Sequence, residues 1–295
     1  MLPAGVDETD VNGTPAPPVR NVMSELRGST APAPEPLPEI RLGAVLLHAI
    51  TEPQCVAHVM QSLAAGLGGW IATANLDHLR RLRESAEFRA LYAKASVVTA
   101  DGMPVVWACR LQGTPIPARV AGSDLSKSLP AAAAEHGRSI FLLGGDPGTA
   151  DAAAAKLRLA SPTLRVVGTL CPEFGFEKDP GRWQRIEAAL QAARPDLVFV
   201  ALGSPKQEVV IDRLRHLLPQ AWWIGVGISF SFVAGEVKRA PRWLQRLGLE
   251  WLHRLVQEPR RLGARYLWHG PPFLCRLLGG AVWRRLRGTA RSRSA

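Results

Sequence analysis

Asp101 is the residue best suited by type and context to move a proton. It follows the apolar run Ala95–Thr99 and Ala100, and Gly102 comes next, so a carboxyl group stands where a strand-like run opens into a loop. Such a group suits general-base work on an attacking hydroxyl, with the glycine letting a substrate approach the backbone. An ordinary Asp-Gly turn is the plainer reading of the same residues. A second group lies in Gly203-Ser204-Pro205-Lys206-Gln207-Glu208, where the run Asp196–Leu202 ends and a helix is expected to open near Glu208. Gly203 allows a tight turn, and Lys206 and Gln207 fall where helix N–H groups and the dipole favour an anion. A capped loop with a solvated lysine is the alternative. Gly225 and Gly227 close the run Trp222–Val226 in the same manner, and Gly144 and Gly145 follow Ser139–Leu143. The segment Leu142–Gly148 is not a G-x-G-x-x-G and lacks an acidic ribose partner on the next strand. A diphosphate or nucleoside against Gly144-Gly145 is therefore a better reading than a nicotinamide cofactor.

These residues need elements to hold them in one place. From Ile40 the chain alternates strand-like and helix-like runs. Ile40–His48 reads as a strand, Pro53–Leu67 as a helix, Trp70–Thr73 as a strand and Leu76–Leu91 as one amphipathic helix. Ala95–Thr99, Ser139–Leu143, Leu164–Thr169, Asp196–Leu202 and Trp222–Val226 continue the strand series, with an alanine-rich helix to about Leu159. Repeated β-α units of this length predict an α/β fold, a Rossmann-like and largely parallel sheet flanked by helices. In such sheets ligands bind outside the carboxyl ends of the strands. Thr73, Asn75, Asp101, Gly144-Gly145, Gly203–Gln207 and Gly225–Gly227 all follow a strand's last apolar residues, so they are expected to converge on one crevice.

Three segments are expected: a Pro/Ala-rich disordered leader over 1–38, an α/β catalytic domain over 39–236, and a basic amphipathic C-terminal appendage over 237–295 that completes the site. The formal charge of +11 is concentrated in the appendage, which holds 14 Lys and Arg against 2 Glu, while the rest of the chain is nearly neutral. The four cysteines are widely spaced with no CxxC, which fits a reducing compartment and argues against a disulfide framework or zinc site. The N-terminus carries Asp7, Glu8 and Asp10 without an apolar segment, so no signal peptide is expected, and no run of 18 apolar residues predicts a spanning helix.

Several separated motifs together resemble a known family. Pro-Lys-Gln-Glu at Pro205–Glu208, the glycine-rich end of Trp222–Val226, Lys238-Arg239-Ala240-Pro241, and Leu249-Glu250-Trp251-Leu252 followed by Arg254-Leu255, Glu258-Pro259 and Arg265-Tyr266 resemble the WecG/TagA/CpsF glycosyltransferases (glycosyltransferase family 26) over about Ile40 to Tyr266. The resemblance implies inverting transfer of a sugar from a UDP-sugar donor to a polyprenyl-diphosphate-linked saccharide in cell-surface or exopolysaccharide synthesis. It places the enzyme on the cytoplasmic face of the inner membrane. It further implies Asp101 as general base, Thr73 and Asn75 as a Thr-X-Asn pair lining the cleft, Arg119 in the pocket, and Gln207 positioning the substrates. Capping of the following helix is the other reading of Asn75, and Asp124 is read as the cap of the next helix. Ser231 stands where many relatives carry aspartate, so any nucleotide contact made by that aspartate is in doubt. With no Asp-X-Asp in the chain, no metal and no cofactor are expected. The leaving diphosphate then falls to protein cations, with Arg239, Arg254, Arg260, Arg261 and Arg265 as candidates.

The appendage carries an apolar stripe, Trp243, Leu244, Leu247, Trp251, Leu252 and Leu255, beside arginines. Further aromatics run to Trp283, with Arg284, Arg285 and Arg287 after it. Helices of this kind pack on a domain or lie in an anionic membrane surface, and a lipid-linked acceptor favours the membrane. The stripe could equally serve a homo-oligomer. Nucleic acid is not expected as a partner, because the charges are interleaved with Leu and Trp and no recognised motif is present.

Overall fold

The strand-like runs are continuous and rich in β-branched residues rather than alternating, as strands covered on both faces require. The computed structural model describes residues 32–246, 248–257 and 270–292. It places six of those runs in one parallel sheet: β3 (Gly69–Ala74), β4 (Val97–Ala100), β5 (Ser139–Gly144), β6 (Arg165–Leu170), β7 (Leu197–Ala201) and β8 (Trp222–Gly225), in the order β4-β3-β8-β7-β5-β6. All five pairings are parallel, and β8, the last strand among the described residues, lies between β3 and β7.

Alternate strand residues face opposite sides. Trp70, Ala72, Val98, Phe141, Val198 and Trp223 enter one apolar core, while Ile71, Val97, Ile140, Phe199 and Ile224 enter the other. The first core is covered by α2 (Leu76–Glu84), α3 (Ala86–Tyr92), α4 (Met103–Gln112), α7 (Pro180–Ala193) and α8 (Lys206–Leu214). The second is covered by α1 (Glu52–Ala64), α5 (Gly122–Glu135), α6 (Thr149–Ala160) and α9 (Ser229–Ala234). The chain leaves β3 for α2 on one face and leaves the neighbouring β8 for α9 on the other. A crevice must open between two adjacent strands whose following helices diverge in this way.

Two runs expected as single elements are divided. Ile40–His48 forms a hairpin, β1 (Glu39–Leu42) and β2 (Val45–His48), because Gly43 at φ +62° turns the chain. Leu76–Leu91 breaks at Ser85, whose extended backbone ends α2 and whose Oγ accepts the Phe88 N–H at 3.0 Å to start α3. Residues 1–31 of the expected leader lie outside the described residues, and 32–38 carry no helix or strand.

Beyond Gly235 come α10 (Arg242–Arg246), α11 (Glu250–Gln257) and α12 (Gly270–Ser292). The last is docked, not free: Phe273 and Ala281 are buried in the first core, and Arg284 Nε donates to Gln112 Oε1 of α4 at 2.6 Å. Its outer face leaves Val282, Trp283 and Leu286 exposed, with the Arg287 guanidinium 3.7 Å from the Trp283 ring centre. Among the described residues no helix is long and apolar enough to cross a membrane.

Candidate active site

The carboxyl ends of β4, β3, β8 and β7 open into a cavity of about 540 Å³. Thr73 and Asn75 enter it from the end of β3, Asp101 and Gly102 from the end of β4, Gly203 from the β7–α8 turn, Gln207 from the first turn of α8, and Gly225 and Gly227 from the end of β8. Arg119 reaches it from the segment before α5. The appendage contributes Gln245, Gly248, Glu250 and Trp251, and the first turn of α12 adds Pro271, Phe273 and Leu274. Trp251, Pro271, Phe273 and Leu274 add apolar lining to that of Met103, Pro104 and Trp107 of α4, while the strand ends, Gln245 and Glu250 supply polar groups.

Asp101 faces this cavity with a quarter of its side chain exposed. Burial pushes its carboxyl above the usual carboxylate range. Arg119, at 3.9 Å, pulls it back; Glu250 pushes it up again, and His78 and the Gly122 N–H act with Arg119. Arg119 is shared, lying 2.8 Å from Asp124 and 3.8 Å from Glu250. Arg239 closes the ring, with Nη1 2.5 Å from Asp124 and Nε 3.2 Å from Glu250. Three carboxyl groups and two guanidinium groups thus interlock, joining β4, α5 and α11. Burial works against the Asp124 carboxylate, but Arg239 and Arg119 outweigh it and hold that carboxyl below the usual range.

The floor of the cavity is a second polar cluster that sequence reasoning missed. Gln207 is buried, its Nε2–H donates to Glu208 Oε1 at 3.0 Å, and its Oε1 accepts the Gly227 N–H at 3.0 Å. His78 Nε2 is 3.7 Å from the same Glu208 oxygen, and His78 Nδ1–H donates to the Thr73 carbonyl at 2.8 Å. The period of α2 marks His78 as an inward position, but nothing in the chain signals that Glu208 lies under it.

The structure brings Thr73, Asn75, Asp101, Arg119, Gln207, Gly203, Gly225 and Gly227 together at the cavity. Asn75 also caps α2: its Oδ1 accepts the N–H groups of Asp77 at 3.0 Å and His78 at 3.1 Å, so the capping reading holds for a residue that also lines the cavity. Four expected positions do not line the cavity. Gly144 is pressed against the Ala201 carbonyl and Gly145 against Phe230 of α9, which accounts for both glycines by packing. Lys206 pairs with Glu177 beside the Phe176 ring, because α8 opens at Lys206 rather than Glu208 and aims that side chain outward along the sheet. Arg239 is committed to Asp124 and Glu250. Asp124 is no cap, since Ala121 holds that position and Asp124 is turned to the two arginines. Ser231 is buried in α9. The side chain of Arg254, and Arg260, Arg261 and Arg265 entirely, lie outside the described residues. Among the described residues no group of three or more His, Cys, Asp or Glu is placed to hold a metal ion.

A family model described as the Glycosyl transferase WecG/TagA/CpsF family matches residues 40–287. The chain belongs to this family. It is therefore a glycosyltransferase of cell-surface polymer synthesis, built on a mostly parallel α/β sheet. The match runs well past Gly235 and includes most of α12, so the segment that adds apolar lining to the cavity is part of the glycosyltransferase's family region.

Proposed function

We propose that this glycosyltransferase moves a sugar from a UDP-sugar to a saccharide carried on a polyprenyl diphosphate, with inversion at the anomeric carbon. The observation that carries the reading is Asp101, held at the end of β4 in the cavity, its carboxyl raised by burial and framed by Arg119 and Glu250. In the proposed reaction Asp101 takes the proton of the acceptor hydroxyl as its oxygen attacks the anomeric carbon. The bond to UDP breaks on the opposite face, and the diphosphate leaves with the electron pair. A raised carboxyl is a stronger base than an ordinary aspartate, which favours proton uptake near neutral pH.

Arg119 is the described cation nearest to Asp101, and its guanidinium fork suits phosphate or sugar oxygens. Thr73, Asn75 and Gln207 offer hydrogen bonds. The apolar lining, from Trp107 and Trp251 to Leu274, suits the lipid end of the acceptor. The basic appendage, with Trp243, Trp283 and Leu286 exposed, is proposed to seat the enzyme on the anionic cytoplasmic face of the inner membrane.

A screen of UDP-sugars against a lipid-linked acceptor extract, reading released UDP with and without EDTA, tests the reading. One UDP-sugar should release UDP only when acceptor is present, and the rate should survive chelator. Release from no UDP-sugar would overturn the donor assignment. Loss in EDTA with recovery on added Mg²⁺ or Mn²⁺ would overturn the metal-independent form.

A further inference from the structure

Gln207 lines the cavity, yet almost none of it is exposed. Its carboxamide has two unlike ends, and which end meets a ligand decides whether it donates or accepts. The surroundings settle that choice. The Gly227 N–H is a donor and at 3.0 Å can be satisfied only by the amide oxygen. A carboxyl oxygen of Glu208 accepts at 3.0 Å from the amide nitrogen. A flip of the amide would set N–H against N–H at Gly227 and oxygen against oxygen at Glu208. Both errors would be buried, where an unmet polar group is costly. Gly225 sharpens the fit, because a Cβ there would come within 2.5 Å of Gln207 Nε2. The amide therefore rests flat on the end of β8.

Glu208 is itself an unusual group to find under a cavity. It is buried, one of its oxygens accepts from Gln207 and lies 3.7 Å from His78 Nε2, and the other has no hydrogen-bond partner. His78 ties this pair to β3 by donating from Nδ1 to the Thr73 carbonyl at 2.8 Å. A chain of contacts thus runs beneath the cavity from the end of β3 to the loop after β8.

We propose that Glu208, backed by His78, is a positioning residue that locks the Gln207 amide, leaving its second Nε2–H as a hydrogen-bond donor to an oxygen of the bound substrate. The proposal rests on the reading of the cavity as the active site. With one N–H held by Glu208 and Oε1 already accepting from Gly227, the remaining N–H is the one donor the amide has left to offer. Its ligand atom is a sugar hydroxyl or phosphate oxygen rather than a donor N–H.

The test pairs a readout that needs no substrate with one that does. In the full chain with glutamine-selective ¹⁵N labelling, the Gln207 side-chain signal is assigned by its loss in Gln207→Glu. In the wild type the two Nε2 protons should be widely split, one of them held by the carboxyl. In Glu208→Ala the splitting should collapse, while Glu208→Gln, which keeps an oxygen for that N–H, should preserve it. In transfer assays Glu208→Ala should lose about 10- to 100-fold in kcat, the scale of a misplaced contact group, with most of it regained in Glu208→Gln. If the alanine variant does not fold, Gln207→Glu carries the test, since it puts an acceptor where the donor stood and should lose at least as much. An unchanged Gln207 signal in Glu208→Ala would overturn the lock. A preserved lock effect in the spectra with Gln207→Glu turning over like the wild type would overturn the donor role. A wild type that shows the lock but transfers no sugar would instead count against the proposed function.

Discussion

At the scale of single residues, the base role proposed for Asp101 turns on a carboxyl raised by burial and only loosely paired with Arg119. Arg119 stands 3.9 Å away and divides its charge with Asp124 and Glu250, so it restrains the carboxyl without forming a close pair with it. Two effects of Asp101→Asn follow. Turnover should fall by about 10² to 10⁴, the range for a lost general base. The second effect is on stability. The Asp101 carboxyl is raised in the folded protein, so the fold binds its proton more tightly than the unfolded chain does. The stability this supplies is present below the unfolded value, near pH 4, and is lost as pH rises through the raised folded value. At neutral pH the ionised group is therefore a burden that asparagine removes. Asp101→Asn should melt above the wild type at about pH 7.5 and lose that advantage toward pH 4. Wild-type turnover, or a melting difference that does not depend on pH, would count against the assignment.

At the scale of elements, the cavity depends on the loop between α10 and α11 seating against α4. Gly248 makes this contact. It adopts φ +71°, and a Cβ there would lie 2.7 Å from Met103 Cβ and 2.8 Å from the Trp107 ring. Gly248→Ala should cost about 1–3 kcal/mol through backbone strain and overpacking together. Because Gln245, Glu250 and Trp251 flank this glycine in the cavity wall, transfer should fall along with the melting temperature. An alanine variant with unchanged activity and melting would show that the loop is not seated there. The same scale shows what the sequence made legible. Strand ends announced themselves, because continuous apolar runs broke into Thr73, Asp101, Gly203 and Gly225, and all four meet at one cavity. Elements that turn inside an apolar stretch did not, as the hairpin at Gly43 and the break at Ser85 show. Nor did partners from distant chain: Lys206 looked free until Glu177 lay beside it, and Arg239 until Asp124 and Glu250 did. The same blindness hid Glu208 beneath His78. A pattern along the chain reports which face of an element is inward, not which residue waits there.

At the scale of the whole molecule, the appendage is both core and surface. Phe273 and Ala281 are packed into the first core, so removing everything after Gly235 would expose apolar surface as well as remove any membrane contact. The proposed membrane role is better tested on the outer face alone. Trp283→Ser with Leu286→Ser should leave transfer to a soluble acceptor analogue intact, since neither residue lines the cavity. Binding to anionic liposomes should weaken by about tenfold or more, given about 1.5–3 kcal/mol for each large apolar side chain transferred from water. Unchanged liposome binding would remove this face from the membrane contact.

The position of β8 has a consequence for how the protein is made. Its neighbours are β3, completed early in synthesis, and β7, completed late. Until the ribosome has delivered Trp222–Gly225, β3 lacks its native partner on that side, and none of the strands emerging in between takes that place in the fold. At about 5–20 residues per second the wait is on the order of ten seconds. During that interval the nascent chain carries a strongly apolar strand still lacking that partner, the kind of edge that recruits other chains. Closure of the sheet and assembly of the crevice are then one event, since β3 and β8 supply its two banks. No half-finished chain can hold a working site, and chaperone occupancy during translation is where a slow-emerging or truncated product would be caught.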